Sequence, residues 1–107
     1  MKILEVIHLR MAGDDAAHLA EFVRVAAEEA PGLPEVRTYR HARVEGDLLV
    51  HLQREASAQK IEPSELGVRL ASVLRAHGMV EHSVWVGCEG HGAAAECRGR
   101  KGSGSQP

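Results

Sequence analysis

Aromatic residues are scarce: one Phe, one Tyr and one Trp make up 3% of the sequence. So few rings leave little surface on which nucleic-acid bases could stack, and a core has to be assembled mainly from Leu, Val, Ile and Ala. A cationic excess is also lacking. The formal net charge is −2, without the clustered basic footprint that phosphate binding needs, which argues against a nucleic-acid partner. Cysteine occurs only at positions 88 and 97, too few for a disulfide scaffold, so a reducing compartment is expected. The opening MKILEVIHLR is interrupted by Glu5 and His8. It is too short to span a membrane and has no cleavage pattern of a signal peptide. These absences make a cytoplasmic protein without a membrane partner the expectation, and no segment carries a strong catalytic motif.

What is present is a periodic chain of 107 residues, 44% hydrophobic, sized for one domain. Residues 2–11 read as a strand, followed by a break at Ala12-Gly13. Asp14 or Asp15 then caps a helix with Leu19, Phe22, Val23, Ala26 and Ala30 on one stripe, ending at Pro31-Gly32. A second strand over 35–44 turns through Glu45-Gly46 into a third over 47–53. Pro63-Ser64 opens a second helix with Leu66, Leu70, Val73, Leu74 and His77 inward. Gly78 stops it where a left-handed residue is commonly needed, and a fourth strand covers 82–89. Residues 90–107 are rich in Gly and Ala and read as a flexible tail outside the 1–89 domain. That tail holds Arg98, Arg100 and Lys101 against Glu96 alone, so the domain is more acidic than the whole chain.

Two helices separated by a hairpin, with strands at both ends, predict an α+β ferredoxin-like βαββαβ plait. Its four-stranded antiparallel sheet has order 4-1-3-2, and both helices cover one face. Alternation sends Ile7, Leu9, Val36, Thr38, Leu48, Val50, Leu52, Val84, Val86 and Cys88 towards the helices. The other face receives Leu4, Val6, His8, Arg10, Arg37, Tyr39, His41, Leu49, His51, Gln53 and Trp85. A three-residue hairpin loop, Val44 to Gly46 with Gly46 left-handed, sets Tyr39 opposite His51 and His41 opposite Leu49. A two-residue loop, Glu45-Gly46, would instead send His51 to the helix side. Hydrophobic alternation favours the longer loop. Leu4, Val6, Tyr39, Leu49 and Trp85 would form an apolar patch too large to leave in water, so a homodimer through this face is expected.

The element order, the Pro31-Gly32-Leu33 segment and the ending His82-Ser83-Val84-Trp85-Val86 resemble the dimeric α/β-barrel superfamily. Within it, the antibiotic-biosynthesis-monooxygenase-like proteins are the nearest in pattern, over about residues 2–89. That resemblance implies a small-molecule enzyme working without an organic cofactor on an aromatic, quinol or enolisable compound. It also implies a cleft between helices and sheet where superfamily monooxygenases use Asn and Trp, with a histidine on the second helix added in haem-degrading members. His77 and Trp85 are the nearest equivalents here. The sequence contains no Asn, a departure from that pattern.

On residue chemistry, His8, His41 and His51 are the candidate proton carriers, since imidazole titrates near neutrality. Arg10 and Arg37 are candidates for holding a carboxylate or enolate, and Tyr39 and Trp85 for a pocket wall. Three strand histidines could also hold a transition metal, but no carboxylate completes the set on that face, so no metal and no other cofactor is expected. Cys88 reads as a small buried side chain, and Cys88, His91 and Cys97 match no zinc-finger spacing. The alternative to an enzyme is a ligand- or metal-binding homodimer without turnover.

Overall fold

In a computed structural model, residues 1–30, 35–57 and 61–88 are described. The elements are β1 (Lys2–Arg10), α1 (Ala16–Glu29), β2 (Glu35–Arg40), β3 (Leu48–Glu55), α2 (Glu65–Leu74) and β4 (Met79–Val86). The antiparallel sheet has order β2-β3-β1-β4, the expected plait read from the other edge. The expected tail, the Pro31-Gly32 helix end and His91 lie outside the described residues.

β1 is central and sets the layer. Ile3, Glu5, Ile7 and Leu9 are buried on the helix side, while Leu4, Val6 and His8 are half-buried on the other. From β3, Leu48, Val50 and Leu52 complete the same buried layer. Against it pack Ala16, Leu19, Val23 and Ala27 of α1 and Leu66, Leu70, Ala71 and Leu74 of α2. Phe22, expected inward, is 40% exposed, because the α1 stripe follows Ala16, Leu19, Val23 and Ala27 instead. Asp15 stands at the α1 N-cap, but its side chain makes no capping bond; its carbonyl accepts from Leu19 N at 2.9 Å.

The hairpin departs from expectation in register while keeping parity. Tyr39 faces Leu49 and Arg37 faces His51, so β2 ends at Arg40 and a seven-residue loop, not three, joins the strands. The cause is local: His41 leaves the strand, and its ring Nδ1 accepts from the backbone N–H of Arg43 and of Val44, both at 3.0 Å. Gly46 has the expected positive φ, 97°, and any Cβ there would overlap the Met11 carbonyl.

Four further departures from expectation lie in and after α2. The helix ends at Leu74, leaving Val73 and His77 exposed. Gly78 has no positive φ; its lack of a side chain lets the Arg10 carbonyl approach, where a Cβ would collide. β4 accordingly starts and ends three residues earlier than expected, and Cys88 is exposed beyond it and disulfide-bonded, not a buried thiol.

Gly46 combines a left-handed backbone with a steric conflict, whereas Gly13, at φ 115°, meets nothing within 4 Å. Urea unfolding is therefore expected to show Gly46→Ala losing about 3 kcal/mol and Gly13→Ala about 1 kcal/mol. Equal losses would show that crowding against Met11 contributes nothing.

Candidate functional site

The outer sheet face is built from three cross-strand rows. Arg37, His51, Val6 and Ser83 form one; Tyr39, Leu49, His8 and Glu81 the next; Glu35, Gln53, Leu4 and Trp85 the third. Neighbouring rows lie two residues apart, so His51 and Tyr39 are diagonal neighbours, and their ring centroids are 5.0 Å apart at 59°. His8 and His51 are likewise diagonal across β1 and β3, a separation of about 7–8 Å between Cα atoms. This register could not be read from the strand patterns alone.

Most polar groups on this face already have partners. His8 Nε2 lies 3.1 Å from Asp47 Oδ2, and its Nδ1 lies 4.0 Å from Glu81 Oε1. Arg10 is 3.8 Å from the same Glu81 carboxylate. Arg37 donates from Nε to Glu35 at 2.7 Å; that hydrogen bond and the carboxylate's charge push the guanidinium pKa further up. Trp85 is 60% exposed and donates from Nε1 to Ser83 Oγ at 2.8 Å. The structure thus brings Arg37, Tyr39 and His51 together and sets His8 and Arg10 beside Glu81. His41 lies apart from both groups, lining a depression of about 220 Å³ between the hairpin loop and the start of α1. Among the described residues, no group of three or more His, Cys, Asp or Glu side chains is arranged to hold a metal ion.

A second polar cluster lies on the helix side, outside the residues that sequence reasoning singles out. Glu5 is 0% exposed. Its carboxylate accepts from the Ser64 backbone N–H at 3.2 Å and from Ser64 Oγ at 2.8 Å, and lies 2.6 Å from His82 Nε2. Ser64 is also the N-cap of α2, its Oγ accepting from Gly67 N at 3.0 Å. The carboxylate therefore rests at a helix N-terminus, where backbone N–H groups and the helix dipole favour a negative charge. Gly67 makes room for it, because a Cβ there would overlap Glu5 Oε2. His82 pairs with Ile7 in the β1–β4 ladder, which puts it one diagonal from Glu5. The signal was in the alternation itself: Glu5 falls at an inward position between Ile3 and Ile7, and His82 shares the parity of Val84 and Val86. A charged residue at an inward position of a central strand demands a partner.

Elsewhere on the helix side, Ile7, Leu9, Val50, Leu52, Leu70 and Leu74 are at most 1% exposed, and a groove of about 490 Å³ opens between α1 and β2, where Ala20, Arg24, Ala27, Val36 and Thr38 line it. Among the described residues, no helix is long and apolar enough to cross a membrane.

No protein-family profile matches the chain, and no curated protein matches it either. Solved structures do. SnoaB, described as a cofactor-independent oxygenase from Streptomyces nogalater, superposes in a point-mutant form with a TM-score of 0.61 at 12% identity, covering 84% of this chain and 96% of that one. A second structure of SnoaB, at 1.9 Å, gives 0.60 with the same identity and coverage. Rv0793 from Mycobacterium tuberculosis gives 0.59 at 11% identity, over 85% and 99%. At these identities the likeness is one of fold alone, the plait that the sequence pattern predicts.

The Glu5 cluster makes a stability prediction. Glu5→Ala leaves His82 and two Ser64 donors without their acceptor, and is expected to cost about 3–5 kcal/mol. Replacing both members, Glu5→Met with His82→Leu, removes the orphaned ring and refills the space but leaves the two Ser64 donors, and is expected to recover about half of that loss. A double variant as unstable as the single one in urea melts would contradict this account.

Proposed function

We propose that this chain is a small-molecule enzyme that uses dioxygen without a bound cofactor, acting as a homodimer whose outer sheet faces pack together. The fold it shares with SnoaB, a cofactor-independent oxygenase, over 84% of its length is the observation that carries the reading. The outer face adds support. Arg37, His51 and Tyr39 adjoin the half-buried Leu4, Val6 and Leu49, while Tyr39, Met79 and Trp85 are 44%, 74% and 60% exposed. Monomers seldom leave such a patch in water, and a two-fold partner would enclose the polar rings with it.

In such a reaction the substrate itself supplies the electrons, and it does so more readily once it has lost a proton. His51 would take that proton, Arg37 would hold the resulting enolate or phenolate, and Tyr39 and Trp85 would form the wall. His8 and Arg10 would orient the ligand at the Glu81 end. His41 is left out of this group, because its Nδ1 is engaged by the hairpin loop. For an activated methylene flanked by aryl rings, CH2 and O2 become a carbonyl and one water.

The second reading is a ligand-binding homodimer without turnover. It draws on the groove of about 490 Å³ between α1 and β2, which could hold a ligand away from the outer-face rings.

Anthrone in air-saturated buffer separates the two. The enzyme is expected to consume one O2 per anthraquinone formed, and Arg37→Ala with His51→Ala to lower kcat/KM by about 100-fold. Oxygen uptake no faster than the protein-free blank would leave the binding reading. For the assembly, sedimentation equilibrium at micromolar concentration is expected to give a dimer that Leu49→Glu converts to monomer; a monomeric parent protein would refute the proposed packing.

A further inference from the structure

We infer that His82, held by Glu5, is a separate proton-transfer centre on the helix side of the sheet, able to act on a weak carbon or oxygen acid such as an enolisable ketone or a phenol. This goes beyond the dioxygen reading, because it needs no oxidant and uses none of the outer-face residues.

The geometry carries it in three steps. First, the carboxylate of Glu5 is fixed: Ser64 donates to it from both its backbone N–H and its hydroxyl, and Gly67 leaves it room against α2. Second, a carboxylate accepts hydrogen bonds, so the 2.6 Å approach of His82 makes Nε2 the donor and leaves the lone pair of a neutral ring on Nδ1. Nδ1 has no hydrogen bond among the described residues. Third, burial is graded outward: the Glu5 side chain is 0% exposed and that of His82 is 12%. The ring is therefore the member of the pair that keeps contact with solvent.

A carboxylate that orients an imidazole and balances its charge is the arrangement by which histidine becomes an efficient base. Ser64 joins α2 to the carboxylate and His82 meets its remaining demand with one nitrogen, so the ring's second nitrogen takes no part in joining α2 to β1. In the reaction, the C–H or O–H bond of the acid breaks, its proton passes to Nδ1, and the electron pair stays on the substrate as an enolate or phenolate. The imidazolium is balanced by Glu5 and then returns the proton to oxygen or to carbon. Ring and carboxylate end unchanged, and the net result is tautomerisation or hydrogen exchange. His82 is the catalytic residue; Glu5 and Ser64 are positioning residues.

Two measurements decide it. The first is labelling with diethyl pyrocarbonate at pH 7, in which a neutral imidazole nitrogen bonds to the reagent's carbonyl and expels ethanol and carbon dioxide. His82 is expected to react at least as fast as the exposed His18 and His77. Glu5→Gln and the milder Ser64→Ala are expected to slow it about threefold or more without altering those two. An unlabelled His82, or equal rates in every variant, overturns the inference. The second is exchange of the anthrone methylene in D2O under argon, measured in the Arg37→Ala, His51→Ala background so that the outer-face base does not contribute, where adding His82→Gln is expected to slow it by about 100-fold. Exchange undiminished in His82→Gln, or no exchange above the blank, also overturns it. Absent oxygen uptake with a reactive His82 strikes the oxygenase reading alone, and normal uptake with an inert His82 strikes this inference alone.

Discussion

Three elements meet at one carboxylate. Glu5 belongs to the central strand β1, His82 to the edge strand β4, and Ser64 caps α2. A lost bond among them is felt by the sheet edge and the helix at once. Apolar packing alone would let α2 slide along its stripe of Leu66, Leu70 and Leu74, because dispersion has no direction. The carboxylate bonds have direction, and they fix where the helix begins. Gly67 shows how tightly, since a single methyl group has no place beside the carboxylate. Ionic clusters of this kind are weak contributors to net stability and stronger ones to geometry. Here the geometry concerned is the orientation of an imidazole as well as the position of a helix.

The depth to which the sequence could be read follows from which quantities have a period. Side-chain alternation has a period of two, so β1 and β3 sort their faces from composition alone, and the plait with its strand order follows from the connections. Register has no such marker. Shifting β2 against β3 by two residues leaves every side chain on its own face, so the pattern of Val36, Arg37, Thr38 and Tyr39 fits both the expected and the observed pairing. What distinguishes them is the His41 ring bonding to the loop backbone, an interaction between near neighbours that no hydrophobic pattern encodes. Gly78 shows a similar limit: a helix-terminating glycine and one admitting a carbonyl from β1 look alike in a string of letters, and only the path of Arg10 tells them apart.

The outer face is more constrained than a row of rings suggests. Arg37 is held by Glu35, His8 lies between Asp47 and Glu81, and Arg10 shares Glu81. Exposed pairs of this kind are worth little individually, so a ligand carboxylate or enolate could displace Glu35 from Arg37 at small cost. Tyr39 and His51 differ in being held by ring contact and by the sheet itself. They stay in place whichever anion Arg37 holds.

The two faces of β1 therefore assign polar groups in opposite ways. Outside, charges are numerous, solvated and exchangeable, which suits recognition and assembly. Inside, among the described residues, one carboxylate, that of Glu5, is wholly withdrawn from water in a layer of Ile, Leu and Val, where an unpaired charge would be far too costly to keep. Ser64 alone satisfies part of it with two donors. The remaining demand falls on His82, and an imidazole can meet it with one nitrogen only. Its other nitrogen is then left free of the carboxylate. An apolar pair at these two positions would fill the same space without that by-product. The polar pair at positions 5 and 82 is thus better explained by what the second nitrogen can do than by the strength of the contact.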